Sequence, residues 1–180
     1  MSGTTGIRVL FSSAEIQERV QNIANALATT PLNQLLVVAV LKGSFVFAAD
    51  LLRAMHHAGL TPHVEFIHLS SYRESTTSSG QVDILKDVMS DVRGRDILLI
   101  DDILESGRTL AFAKDLLIAR GAHTVKTAVL LEKPDKRAVT INADYVGFIC
   151  PDQFVVGYGM DVAHAYRELP FVGVIEQGNA

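Results

Sequence analysis

The chain has a single cysteine, no apolar run near the ~18 residues of a membrane helix, and no excess of basic charge. Each shortage removes a class of protein. One cysteine, Cys150, excludes an internal disulfide framework and a cysteine-based zinc cluster. It stands directly before Pro151 and is expected to be a small buried hydrophobe rather than a reactive thiol, which would need a nearby cation. Sixteen Lys and Arg stand against twenty Asp and Glu, a formal charge of −4, so bulk electrostatics offers nothing to a phosphate backbone. The N-terminal "MSGTTGIRVLFS" shows no basic segment followed by a long apolar one. A cytoplasmic protein with no nucleic-acid and no membrane partner is the expectation. Also missing are G-x-G-x-x-G after a strand and G-x-x-x-x-G-K-[ST] anywhere, which removes dinucleotide and Walker-type binding.

What is present is one domain's worth of α/β pattern, 180 residues of which 48% are apolar. Ser12 with Glu15 matches a capping box, and Ile16, Val20, Ile23 and Leu27 recur at helical spacing up to Pro31. "LLVVAVL" (35–41) has strand length, "KGS" forms a turn, and "FVFAADLLRAMHHAG" reads as a helix ending at Gly59. "HVEFIHLSSY" is extended. The polar "RESTTSSGQ" after it has the composition of a mobile loop, which a plain hairpin connection shares; "VDILKDVMSDV" then resumes extended character. Strand, loop and helix repeat in "DILLIDDILESGRTLAFAKDLLIARGA", with Gly121 as helix stop, and "HTVKTAVLLEKP" supplies another strand. The order implies a mainly parallel sheet flanked by helices. The β-rich segment after Pro134, about 134–180, reads with the N-terminal segment as a small hood or edge layer.

The most informative stretch is "ILLIDDILESGRTL", 97–110. If Ile97 to Ile100 is a buried strand, Asp101 and Asp102 sit beyond its carboxyl end, where open α/β sheets bind ligands. Two adjacent carboxylates there are costly unless a cation, solvent or hydroxyls meet them. Glu105-Ser106-Gly107-Arg108-Thr109 then lies where a turn enters a helix, with free N–H groups, hydroxyls and the helix dipole as an anion cradle. A phosphate beside a diol satisfies both features, and a ribose 5-phosphate is the simplest such molecule. An ordinary solvated strand end and turn fit the same residues.

The stretch resembles the phosphoribosyl pyrophosphate (PRPP) motif of type I phosphoribosyltransferases: an apolar strand, two acids, two apolar residues and a D-[ST]-G-x-T loop. From Leu35 through Asp161 to Arg167 the chain is similar to bacterial hypoxanthine phosphoribosyltransferases, with "LKGS", "SSYREST", "LLEKP" and "FVVGYGMD" in that family's order. The resemblance implies the type I fold, purine salvage, Mg²⁺ as cofactor, PRPP and a 6-oxopurine as substrates, and a homodimer or homotetramer. It assigns Asp101 and Asp102 to the ribose hydroxyls, directly or through magnesium-bound water, and Glu105 to Thr109 to the 5-phosphate. Lys42-Gly43, after a Leu-Lys peptide that can be cis, and Arg167 go to the pyrophosphate. Ser71-Tyr72 opens the family's catalytic loop. Lys133 donates to the purine's exocyclic oxygen, Phe154 stacks on the base, Val155 contacts its edge through the backbone, and Asp161, beside them, ligates magnesium.

Two residues depart from the pattern. The usual acid pair is Glu-Asp and the usual loop acid is Asp, whereas Asp101-Asp102 and Glu105 stand here. Glu105 falls on the group that exchanges a proton with the purine ring nitrogen, so its extra methylene tests positional tolerance there. Two rivals remain: a PRPP-sensing, RNA-binding regulator on the same fold, disfavoured by the acidic balance, and a xanthine or other-base transferase.

Overall fold

A computed structural model describes residues 6–71 and 82–176, with Ser71 described by its backbone alone. Chain order is β1 (Ile7–Phe11), α1 (Ser13–Ala28), β2 (Leu36–Leu41), α2 (Phe45–His57), β3 (His63–Ser71), β4 (Val82–Lys86), β5 (Asp96–Leu104), α3 (Arg108–Ala119), β6 (Thr124–Glu132), a 3₁₀ turn (Pro134–Lys136), β7 (Tyr145–Ile149), β8 (Val155–Val156) and β9 (Val172–Ile175). Strands β4-β3-β2-β5-β6-β7 form one sheet, parallel throughout except for the β3–β4 pair. A second, antiparallel sheet joins β1, β9 and β8.

The four consecutive aliphatics of β5 follow from its central position, since a parallel strand covered on both faces has no polar side. Leu98 and Ile100 pack with α1 and α2, while Ile97 and Leu99 pack with Leu110, Ala113 and Leu117 of α3. The capping box of α1 forms as expected: Glu15 N–H donates to Ser12 Oγ at 3.3 Å and Ser12 N–H donates to the Glu15 carboxylate at 2.8 Å. Ile16, Val20, Ile23 and Leu27 make its buried face.

One boundary moves in a way that matters. The β2–β5 ladder stops at Ala39 opposite Ile100, but the β5–β6 ladder continues to Leu104 opposite Glu132. Asp101 and Asp102 therefore lie inside β5 rather than beyond a strand ending at Ile100. Pairing on one edge keeps the backbone extended while the other edge opens toward the α2 turn. Of "VDILKDVMSDV" only Val82–Lys86 is strand. Late in the chain, β7 takes the edge of the large sheet beside β6, whereas β8 and β9 belong to the small one. Among the described residues no helix is long and apolar enough to cross a membrane.

Candidate active site

The open edge of β5 puts both acids at the mouth of a cavity of about 590 Å³. Asp101 is only 8% exposed. Burial pushes its carboxyl well above the usual range, and the charge of Asp102 pushes it further. Burial raises Asp102 as well, against the opposing hydrogen bonds from Asp101 and Ile103 N–H and the charge of Arg167. Asp102 N–H donates to Asp101 Oδ1 and Ile103 N–H to Asp102 Oδ1, each at 2.9 Å. Two carboxyls so placed hold on to a proton until a cation or a set of hydroxyls replaces it.

The turn that follows is fixed from behind. Ser106 C=O accepts from Ala138 N–H at 2.9 Å, and Arg137 Nη1 donates to the carbonyls of Leu104 and Glu105 at 3.1 and 2.7 Å. Gly107 has φ of 82°, and a Cβ there would meet Ile141 Cγ2 at 2.6 Å. Only glycine tolerates both constraints. Helix α3 starts at Arg108, whose N–H makes a long 3.4 Å bond to Ser106 Oγ, and Gly107 supplies no side-chain cap, which leaves the first turn suited to an anion. Glu105, Ser106, Gly107, Arg108 and Thr109 all line the cavity.

The facing wall comes from the β2–α2 turn. The Leu41-Lys42 peptide is cis, as the resemblance allows. Gly43 lines the cavity, and any Cβ on it would overlap the Asp102 carboxylate, so a glycine is what lets the turn reach the acid pair. Beyond it, Arg167 donates from Nη1 to Gly159 C=O at 2.6 Å and pairs through Nη2 with Asp161 Oδ1 at 2.8 Å.

Of the sequence-derived candidates, Gly43, Asp101, Asp102 and Glu105 to Thr109 share one cavity. Lys133, 7% exposed, reaches it through Glu105, Nζ to Oε1 at 3.5 Å. Arg167 reaches it by its charge on Asp102, and Asp161 through Arg167. Lys42, Phe154 and Val155 do not line this cavity. Lys42 is solvent-exposed, Phe154 presents 57% of its surface, and Val155 is buried in β8 opposite Val174. Ser71 ends β3, and Tyr72 with the polar loop lies outside the described residues. Among the described residues no three His, Cys, Asp or Glu stand close enough to hold a metal unaided. Sequence reading missed Arg137, and Lys136, which lines the cavity and pairs with Asp152 at 3.0 Å. Nothing in "EKPDKRAV" distinguishes these basic residues from surface ones.

An acid pair in a parallel strand, followed by an anion-cradling turn and faced by a glycine turn, is the arrangement of a phosphoribosyltransferase. Residues 12–163 match the phosphoribosyl transferase domain family, and the chain belongs to it. It is 44% identical over 170 residues to the hypoxanthine-guanine phosphoribosyltransferase of Bacillus subtilis, covering 94% of this chain and 93% of that one. It is 45% identical to the bifunctional protein TilS/HprT of Listeria monocytogenes, again over 94% of this chain, but it spans only 26% of that longer protein. The structure of a hypoxanthine phosphoribosyl transferase from Trypanosoma cruzi superposes with a TM-score of 0.89 at 37% identity, covering 98% of this chain and 94% of the other. The fold is thus the type I phosphoribosyltransferase fold.

Proposed function

We propose that the protein transfers the 5-phosphoribosyl group from PRPP to hypoxanthine, and to guanine as second substrate, giving the nucleoside monophosphate and pyrophosphate in purine salvage. The observation that carries this reading is the single cavity shared by the Asp101-Asp102 pair, the Glu105–Thr109 turn and Gly43. Its two anion-seeking ends and central acids suit a molecule with phosphate at one end, a diol in the middle and pyrophosphate at the other.

The 5-phosphate sits on the first turn of α3, within reach of Ser106 and Thr109 hydroxyls and the Arg108 backbone. Asp101 and Asp102 accept from the ribose hydroxyls, which fixes the anomeric carbon. Lys42-Gly43 amides and the Arg167 guanidinium hold the pyrophosphate, and the Ser71-Tyr72 loop keeps water from the oxocarbenium-like state. The purine stacks on exposed Phe154, meets the Val155 backbone at its edge beside Asp161, and accepts at its exocyclic oxygen from Lys133. Glu105, paired with Lys133 at 3.5 Å, exchanges the proton at ring nitrogen seven.

Magnesium fits this donor set. Asp101, Asp102 and Asp161 are too dispersed for an all-protein cage, which suits an ion that binds through one or two carboxylates plus substrate oxygens and water. When bound with PRPP it neutralises pyrophosphate charge and eases departure of the leaving group. The protein works in the cytoplasm as a homodimer or homotetramer; the Trypanosoma cruzi structure concerned how a C-terminal region affects oligomeric state and activity in that enzyme.

Initial rates with hypoxanthine, guanine and xanthine at saturating Mg-PRPP test the reading. Nucleotide and pyrophosphate should appear in equal amounts with the first two bases. Turnover of xanthine alone would move the assignment to another base, and no turnover with any would overturn it.

A further inference from the structure

Gly157, Tyr158 and Gly159 have φ of 95°, 51° and 97°, three left-handed residues in succession. Glycine accepts that conformation freely; a tyrosine must be held in it by its surroundings. Tyr158 is held twice. Its N–H donates to Leu169 C=O at 2.8 Å, and its hydroxyl donates to Asp50 Oδ2 on α2. The side chain is 5% exposed, within the core beneath α1 and α2. Burial, then the Asp50 hydrogen bond and charge, push the phenol above its ordinary value, so it stays a donor.

The partner is tied to the pyrophosphate turn. Phe45 N–H, at the start of α2, donates to Lys42 C=O at 3.2 Å, and Ala48 N–H to Ser44 C=O at 2.8 Å, so Asp50 moves with Lys42-Gly43. Tyr158 moves with the other half of that wall. Its neighbour Gly159 donates to Arg167 C=O at 3.0 Å and accepts from Arg167 Nη1, and Arg167 holds Asp161. The two halves touch: a Cβ on Gly159 would run into Gly43 C=O.

We propose that the Tyr158–Asp50 hydrogen bond is a positioning device that sets the Lys42-Gly43 turn against the Asp161-Arg167 loop and thereby tunes affinity for pyrophosphate. It rests on the functional reading above and adds two residues to it, neither of which touches substrate. A core tyrosine with no such role would change stability alone.

The experiment compares binding of Mg-pyrophosphate with binding of ribose 5-phosphate, whose hydroxyls and phosphate are assigned to the Asp101–Thr109 wall. Tyr158→Phe keeps the ring and leaves Asp50 with its second partner, Arg53. It should weaken Mg-pyrophosphate about tenfold, the scale of one lost hydrogen bond to a charged group, while ribose 5-phosphate changes less than about twofold. Asp50→Leu should match it, Asp50→Asn, which retains a carbonyl acceptor, should recover most of the loss, and the double variant Tyr158→Phe/Asp50→Leu should be no worse than either single one. Equal losses for both ligands, or a lowered melting temperature with unchanged pyrophosphate binding, would return Tyr158 to the ordinary core and overturn the proposal. A parent protein that binds neither ligand would overturn the functional reading, and this proposal with it.

Discussion

The two walls of the cavity are built by different means. One is nine consecutive residues, Asp101 to Thr109, carried by a strand buried on both faces and by the helix that follows it. The other is Gly43 on the β2–α2 turn, with Asp161 and Arg167, more than a hundred residues later, standing behind it without lining the cavity. The first is stiff because its strand is paired along its length with β6 and the back of its turn is fixed by Arg137 and Ala138. The second is held by turn hydrogen bonds within each part and, between α2 and the late loop, by the Tyr158–Asp50 side-chain bond. Under the proposed function, holding the anomeric carbon falls to the first wall and departure of the leaving group to the second.

Removing the acid on the continuous wall should have the largest effect. Glu105→Gln should keep Mg-PRPP binding, because backbone donors and the Ser106 and Thr109 hydroxyls remain, yet slow the chemical step by about 10²–10⁴-fold. Single-turnover rates read this directly; a Gln variant as fast as its parent would leave Glu105 as a shaper of the turn only.

Forcing the walls apart comes next. Gly43→Ala pushes a methyl group into the Asp102 carboxylate. A displacement of ångström scale at a reacting centre costs on the order of 10²-fold, so kcat/KM for PRPP should fall by about that much with the fold retained. Unchanged kinetics with a well-folded variant would show that the junction between the walls is soft.

Lys133→Ala tests the base side. It should raise the purine dissociation constant by roughly 10- to 150-fold, equivalent to a lost charge-assisted hydrogen bond of about 1.5–3 kcal/mol, and calorimetry with purine should detect it. An unaltered purine affinity would leave Lys133 as no more than the partner of Glu105.

The smallest effect concerns stability and runs opposite to activity. A carboxyl whose pKa is raised in the folded protein destabilises it above that raised value, and the cost fades as pH falls toward the ordinary carboxylate range near ~4. Asp101→Asn removes a buried carboxyl that must either hold a proton or carry an unfavourable charge, so the ligand-free variant should melt higher than the parent at neutral pH, by roughly 2–4 °C for each kcal/mol relieved. The gap should narrow on acidification while activity is lost. Melting curves that stay parallel across pH would show that Asp101 keeps its charge at no cost.

The continuous wall was legible in the chain, and with one boundary moved. Four aliphatics, two acids and a Ser-Gly-Arg-Thr turn declare strand, ligand edge and helix start within one short window, because each rule involved is local. The end of β5 was misjudged because nothing in "LIDDIL" says which neighbour stops pairing first; that depends on β2 leaving β5 after Ala39 while β6 continues. Val155 and Phe154 differ for the same kind of reason. Adjacent apolar residues have opposite fates, one buried against β9 and the other open to solvent, once β8 takes its register.

By itself the sequence determined the parallel α/β order, the capped first helix, the acid pair and the anion turn, since periodicity, capping and turn chemistry act over a few residues. Tertiary structure alone decided that β7 completes the large sheet while β9 pairs with both β1 and β8 in the small one. It alone decided that Arg137 fixes the back of the turn, and that Asp50 and Tyr158 meet across the core. Those contacts join residues far apart in the chain, and what selects them is the register and burial of whole elements, a property that no short window of residues carries.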